Sequence, residues 1–141
     1  MIKVNFYDSI DDEKLKFAVI ISKTNGKWVF CKHKERDTLE VPGGHREKGE
    51  DILSTAKREL NEETGAIDFD IKPICVYSVV RKSEDEETET FGMLYFAEIR
   101  SFEEIHSEIE KIIITDELPE NWTYPLIQPF LMKQAERLGF V

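Results

Sequence analysis

GGHREKGEDILSTAKRELNEETGA, residues 43–66, is the stretch from which the rest of the chain can be read. From Asp51 to Thr64, Ile52, Leu53, Ala56 and Leu60 recur at helical spacing, and Gly65 stands where a helix commonly ends in a left-handed residue. A helix over 51–64 is therefore expected. On it Glu59, Glu62 and Glu63 fall within an arc of roughly 100°, so the carboxylates share one face. Carboxylates this close repel one another, and something positive is expected among them. Magnesium suits such donors: it favours carboxylate oxygens, keeps several waters and joins protein carboxylates to substrate phosphates. Arg58, beside the face, can hold one carboxylate by charge-assisted hydrogen bonds. Gly43 and Gly44 let a loop approach the helix closely, and their backbone groups can contribute metal or phosphate contacts. Taken alone, a Glu-rich helix face is an ordinary solvated surface, so the surrounding sequence has to decide.

Outward from this helix the apolar pattern changes to short β-branched and aromatic runs. Lys16–Ile21 and Lys27–Cys31 are separated by Lys23-Thr24-Asn25-Gly26, and Asn-Gly suits a tight hairpin between antiparallel strands. Leu39-Glu40-Val41 is a brief extended piece ending at Pro42, before which helix is disfavoured. Ile71–Val80 and Phe91–Ile99 are expected strands flanking the acidic run Ser83–Glu89, which reads as a solvated hairpin connection. Ile112–Ile114 is a further short strand, and Tyr124–Leu138 carries Leu126, Ile127, Phe130, Leu131 and Leu138 along one side of a closing helix. Strands interrupted by one early and one late helix predict an α+β, or mixed α/β, sandwich. With no repeat or Pro/Gly/Ser linker, residues 1–141 are expected to form one domain.

Composition narrows the function. Apolar residues make up 40% of the 141 and aromatics 11%, enough to build a core, which excludes the disordered class. The 29 acidic against 19 basic residues leave a net charge of −10, a field that repels nucleic-acid backbones and anionic lipid. A phosphate substrate would then need cations to neutralise it together with the protein's carboxylates. The beginning MIKVNFYDSIDDEKLK has no basic leader followed by an apolar run, and nothing approaches the roughly 20 apolar residues of a membrane span. Cys31 and Cys75 lack metal spacing and read as reduced, buried thiols of a cytoplasmic protein; His33 and His106 likewise show no metal spacing.

The order Gly44, five residues, Glu50, seven residues, Arg58-Glu59-Leu60, one residue, Glu62-Glu63, one residue, Gly65-Ala66 resembles the signature of the Nudix hydrolases, with every fixed identity present. Ala66 is smaller than the bulky aliphatic residue usual at its position. The resemblance implies an α/β/α sandwich with a mixed β-sheet between helices, and hydrolysis of a nucleoside diphosphate linked to another moiety. It also implies that Glu59, Glu62 and Glu63, with the carbonyl of Gly43, bind Mg2+, for which Mn2+ can substitute. Arg58 then orients Glu59, and Glu50 stabilises the loop–helix–loop. Water attacks a bridging phosphorus in line. The base that activates it is a glutamate of this helix or of a later loop, where Glu103, Glu104 and Glu108 are candidates and Glu104 is favoured.

Lys32-His33-Lys34-Glu35-Arg36 ahead of the extended piece is similar to small MutT-like members acting on nucleoside triphosphates, among them enzymes of oxidised purine nucleotides. By that likeness Arg36, with Lys32 and Lys34, meets phosphates, His45 touches the substrate, Asn121 reads a purine, and Trp28, Trp122 or Tyr124 stacks on the base. The expected activity is conversion of a nucleoside triphosphate to monophosphate and pyrophosphate, with 8-oxo-dGTP as a candidate. Hydrolysis of a nucleoside diphosphate sugar or dinucleoside polyphosphate, and a non-catalytic nucleotide-binding domain, are the alternatives. The expected partner is a small-molecule nucleotide, with no nucleic acid or membrane, and the chain is expected as a monomer or homodimer.

Overall fold

Asn25 (φ 49°) and Gly26 (φ 79°) both adopt left-handed backbone, the pair of positive angles that a two-residue hairpin turn needs to match strand twist. The computed structural model describes residues 1–141. Its elements are β1 (Ile2–Tyr7), β2 (Leu15–Thr24), β3 (Lys27–His33), β4 (Leu39–Glu40), β5 (Gly43–His45), α1 (Ile52–Thr64), β6 (Ala66–Lys82), β7 (Glu87–Phe102), β8 (Ile109–Thr115) and α2 (Gln128–Arg137). The strands lie in the order β1-β6-β7-β2-β3-β4, with β5 also paired to β2 and β8 to β3. Only β2 and β7 run parallel, so the sheet is mixed.

Period-two alternation sorts the central strands between two cores. Ala18, Ile20, Val29, Tyr95, Ala97 and Ile99 pack with Ala56 and Leu60 of α1. Ile21, Phe30, Leu94 and Phe96 pack with Leu131, Met132 and Ala135 of α2. Because both faces are covered, these strands read as nearly continuous apolar runs. The result is the expected mixed α/β sandwich, a sheet between helices.

The β2–β3 hairpin diverges after two pairs, Lys23↔Trp28 and Thr24↔Lys27. The chain from Leu39 to His45 occupies the gap: Glu40 pairs Cys31 of β3, while Gly43 and Gly44 pair Val19 and Ala18 of β2. Between them Ile20 N–H donates to the carbonyl of Pro42 at 2.9 Å. This wedge carries Gly43 and Gly44 against α1.

Helix α1 begins where expected, with Asp51 as its cap: the carboxylate accepts from Ser54 N–H at 2.8 Å. It ends at Gly65 (φ 81°). Four differences from the expected elements stand out in the structure. β1, whose residues are short of a clear alternating run, pairs β6 and completes the sheet edge. β6 starts at Ala66 rather than Ile71, because exposed polar residues on an outer strand end are held by pairing to β7. The acidic run is a turn only over 83–86; Glu87–Glu89 already belong to β7. Finally, Tyr124–Ile127 is a turn, and the closing helix starts at Gln128 with Pro129 in its first turn, the place where a missing N–H costs nothing.

Gly65→Ala is expected to cost about 2 kcal/mol, since a Cβ there meets both a left-handed φ and the carbonyl of Glu103. Thermal melting checks this, and an unchanged Tm would contradict it.

Candidate active site

The side chain of Arg58 organises the loop and helix. Its Nε donates to Glu50 Oε2 at 2.6 Å and its Nη2 to Glu50 Oε1 at 3.0 Å, a two-pronged charge-assisted pair. Nη2 also reaches the carbonyl of His45 at 3.0 Å, while Nη1 donates to Glu59 Oε1 at 2.5 Å and to Glu62 Oε2 at 3.4 Å. Glu50 Oε1 additionally accepts from Glu47 N–H and Thr55 Oγ1, each at 2.9 Å. These bonds, led by the one to Arg58, pull the Glu50 carboxyl down to about 2, and Glu50 in turn holds the Arg58 guanidinium firmly protonated. The loop before α1 is thus tied to the helix through one guanidinium.

Glu63 is buried, and its Oε1 accepts from Gly43 N–H at 2.7 Å. Burial dominates its titration, and Glu59, Glu40 and Glu108 add like-charge repulsion; against the Gly43 bond, the carboxyl is pushed up to about 8. Glu59 is raised too, by burial first, although the Arg58 bond and charge oppose the shift. A Cβ on Gly44 would collide with the Glu59 carboxylate, so glycine is required for that carboxylate to lie against the loop. Glu62 remains half-exposed to solvent.

A cleft of about 490 Å3 opens over this loop. Gly43, Gly44, His45, Glu63 and Glu108 line it, together with Glu40, Arg36, Tyr124 and Gln128 on the side of α2. Arg36 Nη1 donates to Glu40 Oε1 at 3.0 Å, and its guanidinium lies 6.0 Å from the Tyr124 ring centroid. Gln128 spans Val41, accepting from its N–H at 2.8 Å and donating to its carbonyl at 3.4 Å, which joins the start of α2 to the wedge.

The expected site residues separate into groups. Gly43, His45, Glu63 and Arg36 come together around the cleft, with Glu59 directly behind Gly44. Glu104 does not line it: the exposed stretch after β7 carries Glu104 outside the cleft, and Glu108 is the later-loop glutamate that reaches the lining and couples to Glu59 and Glu63. Asn121 is outside as well, its Nδ2 donating to the Asp37 carbonyl at 2.7 Å. Lys32 pairs with Glu110 at 3.1 Å, and Lys34 lies away from the lining. Trp122 packs edge-on against Phe30 at 5.6 Å, and Trp28 sits under Lys23, leaving Tyr124 as the aromatic of the three that lines the cleft. Glu40 was not anticipated as a site residue; the signal available was a lone acid within an apolar extended run.

The donor set is hard oxygen: carboxylates of Glu59, Glu62 and Glu63 and the carbonyl of Gly43. Burial first, and repulsion from Glu59, Glu40 and Glu108 after it, lift Glu63 to about 8; a divalent cation would offset both, so these residues fit such an ion in kind. They are not gathered into a ready cage. No three acidic, His or Cys side chains converge closely enough to hold a metal, because Arg58 draws Glu59 and the Gly43 N–H draws Glu63.

A helix of carboxylates is thus clamped to a glycine loop under an open cleft in an α/β/α sandwich. The sequence model of the NUDIX domain matches residues 13–124, and the chain belongs to the Nudix hydrolase family, whose members act with divalent metal ions. The chain is 31% identical over 136 residues to YtkD of Bacillus subtilis (strain 168), whose name provisionally makes it an 8-oxo-dGTP diphosphatase; the match covers 95% of this chain and 83% of YtkD. A variant of the Bacillus subtilis pyrophosphohydrolase BsRppH superposes with a TM-score of 0.79 at 26% identity, covering 99% of this chain and 92% of that one. The NUDIX domain of Shewanella oneidensis NrtR, complexed with ADP ribose, shares the fold with a TM-score of 0.63 at 18% identity, over 87% of this chain and 86% of that one.

The raised Glu63 carboxyl has a consequence for stability. Between its ordinary 4.5 and about 8 the unfolded chain has lost this proton while the folded chain keeps it, so the contribution of Glu63 to stability falls as pH rises through that window. Without divalent cations, Glu63→Gln should therefore melt above the native protein at pH 8, with the gap closing near pH 4.5. Added Mg2+ should stabilise the native protein and not the variant. A native protein that melts above the variant at pH 8 in chelator would contradict this.

Proposed function

We propose that the chain, as one catalytic unit over residues 1–141, is a nucleoside triphosphate pyrophosphohydrolase: water and a triphosphate yield the monophosphate, pyrophosphate and a proton. The observation that carries the reading is buried Glu63 beside Gly43 and Gly44 at the cleft, on a helix whose neighbouring carboxylates are oriented by Arg58. Mg2+, with Mn2+ able to replace it, would be held by Glu59, Glu62, Glu63 and the Gly43 carbonyl. When bound it would lower the pKa of water and neutralise phosphate oxygens. Glu108 takes the place expected for Glu104 as the later-loop carboxylate able to accept a proton from the attacking water, since it lines the cleft. Arg58 holds Glu59 in orientation throughout. We infer a cytoplasmic enzyme acting on free nucleotides, as a monomer or homodimer; no helix is long and apolar enough to cross a membrane.

The nucleoside is assigned to the side of the cleft nearest α2. Tyr124 offers a ring face there, Arg36 a planar cation beside it, and Glu40 Oε2 accepts no hydrogen bond from the protein and is free to take one from a base N–H. An oxidised purine nucleotide such as 8-oxo-dGTP, the compound in the name of YtkD, presents one additional N–H, at N7, and suits an acceptor. Asn121, spent on the Asp37 carbonyl, does not serve as the base reader in this arrangement.

Incubation with a panel of nucleoside triphosphates, nucleoside diphosphate sugars and dinucleoside polyphosphates, with and without Mg2+, tests the reading. Pyrophosphate released from triphosphates in the presence of the metal is expected. Nucleotide binding without turnover on any member would make the chain a binding domain instead. Glu59→Gln is expected to lower kcat by about 100-fold or more at unchanged Tm; near-full activity would remove Glu59 from the site.

A further inference from the structure

Strict alternation would place consecutive residues of β2 on opposite faces, yet Lys16 and Phe17 both line the cleft. The register explains this. Leu15 pairs Phe91 of β7 and Phe17 pairs Gly92, so Lys16 is an extra residue in β2, a bulge of the kind that re-aims a side chain. Beyond Lys16, the row Tyr77–Gly92–Phe17–His45 crosses β6, β7, β2 and β5. A Cβ on Gly92 would collide with the Phe17 ring, which lies across the strand and meets Tyr77 edge-on at 5.4 Å. This row forms an apolar floor. On β6 the alternating residues Tyr77, Val79 and Arg81 share the cleft face, and Arg81 comes last, toward the hairpin tip.

Lys16 and Arg81 thus both line the cleft, from two strands separated by β7. Neither takes part in an ion pair, although the chain carries net charge −10 and Arg81 adjoins the acidic hairpin, where the neighbouring Lys82 does pair, with Glu87 at 3.6 Å. The carboxylates of the lining, Glu40, Glu63 and Glu108, belong to the wedge, to α1 and to the segment before β8, while Lys16 and Arg81 come from β2 and β6, with His45 opposite Phe17 on the other side of β2. Along β2, Gly43, Gly44 and His45 oppose Val19, Ala18 and Phe17, so the path from the Glu63-bonded Gly43 leads directly to Lys16. At about 3.3 Å per residue, Lys16 lies some three residues on, a span suited to linked phosphates.

We propose that Lys16 and Arg81 form a subsite for the terminal phosphate of a triphosphate substrate, and that this subsite selects triphosphates over nucleoside diphosphate sugars. The inference rests on the pyrophosphohydrolase reading and adds to it the groups that bind the departing pyrophosphate. A sugar at the same place presents no charge to the two cations and gains nothing from them.

Steady-state kinetics on Lys16→Gln, Arg81→Gln and the double variant test it, with a triphosphate and a nucleoside diphosphate sugar as substrates. Each single change is expected to raise KM for the triphosphate about tenfold with kcat within about threefold, and to leave KM for the sugar unchanged. Competitive inhibition by inorganic pyrophosphate should weaken in parallel. If the double variant hydrolyses triphosphate with native KM and native pyrophosphate inhibition, or if KM rises equally for both substrates, the subsite is refuted while the pyrophosphohydrolase reading stands. If the native protein turns over no nucleotide, that reading fails, and equilibrium binding of inorganic triphosphate to native and double-variant protein decides the subsite separately: weaker binding by the variant supports it and equal binding overturns it.

Discussion

One guanidinium holds the site in shape. Arg58 meets Glu50 with two donors, Glu59 with a third and the His45 carbonyl as well, so the loop over residues 43–50 and the carboxylate face of α1 cannot move independently. Exposed ion pairs usually contribute little, but this one is bidentate, networked and largely shielded, the conditions under which orientation becomes dependable. A lysine could supply the charge but not the planar fork. The carboxylates it leaves crowded around Glu63 are what make the site cation-hungry, and that need follows from burial and repulsion before any substrate is considered.

The sheet gives this clamp something to face. Because the β2–β3 hairpin splits after its first pairs, the chain from Leu39 to His45 can insert between the two strands and bring its glycines to α1. The same split leaves the cleft open between the wedge, the long β6–β7 hairpin and the turn before α2. Gly44 and Gly92 have related tasks: one leaves room for the Glu59 carboxylate, the other for the Phe17 ring. Both are close approaches that a single methyl group would block.

The carboxylate face, its arginine and the ends of α1 were legible from residue spacing because they are local: a helix turns side chains three and four apart onto one face, and capping needs only neighbours. The mixed sandwich was legible for a similar reason, as the buried strands are short apolar runs. What could not be read was long-range. Whether Glu104 or Glu108 reaches the cleft depends on where the stretch after β7 crosses α1, and nothing in their local sequence distinguishes the two. Asn121 and Trp122 were drawn away by the Asp37 carbonyl and Phe30, partners more than eighty residues distant in sequence. Lys16 enters the cleft through a bulge, which reverses the face that alternation assigns.

Anomalous diffraction from crystals soaked in Mn2+ bears most directly on the account that Arg58-oriented carboxylates of α1 hold hard dications. The account predicts an anomalous peak within bonding distance of Glu59 and Glu63 carboxylate oxygens, with the Arg58–Glu50 pair intact. Millimolar Mn2+ leaving those oxygens without a peak, or placing its peak elsewhere in the cleft, would contradict it.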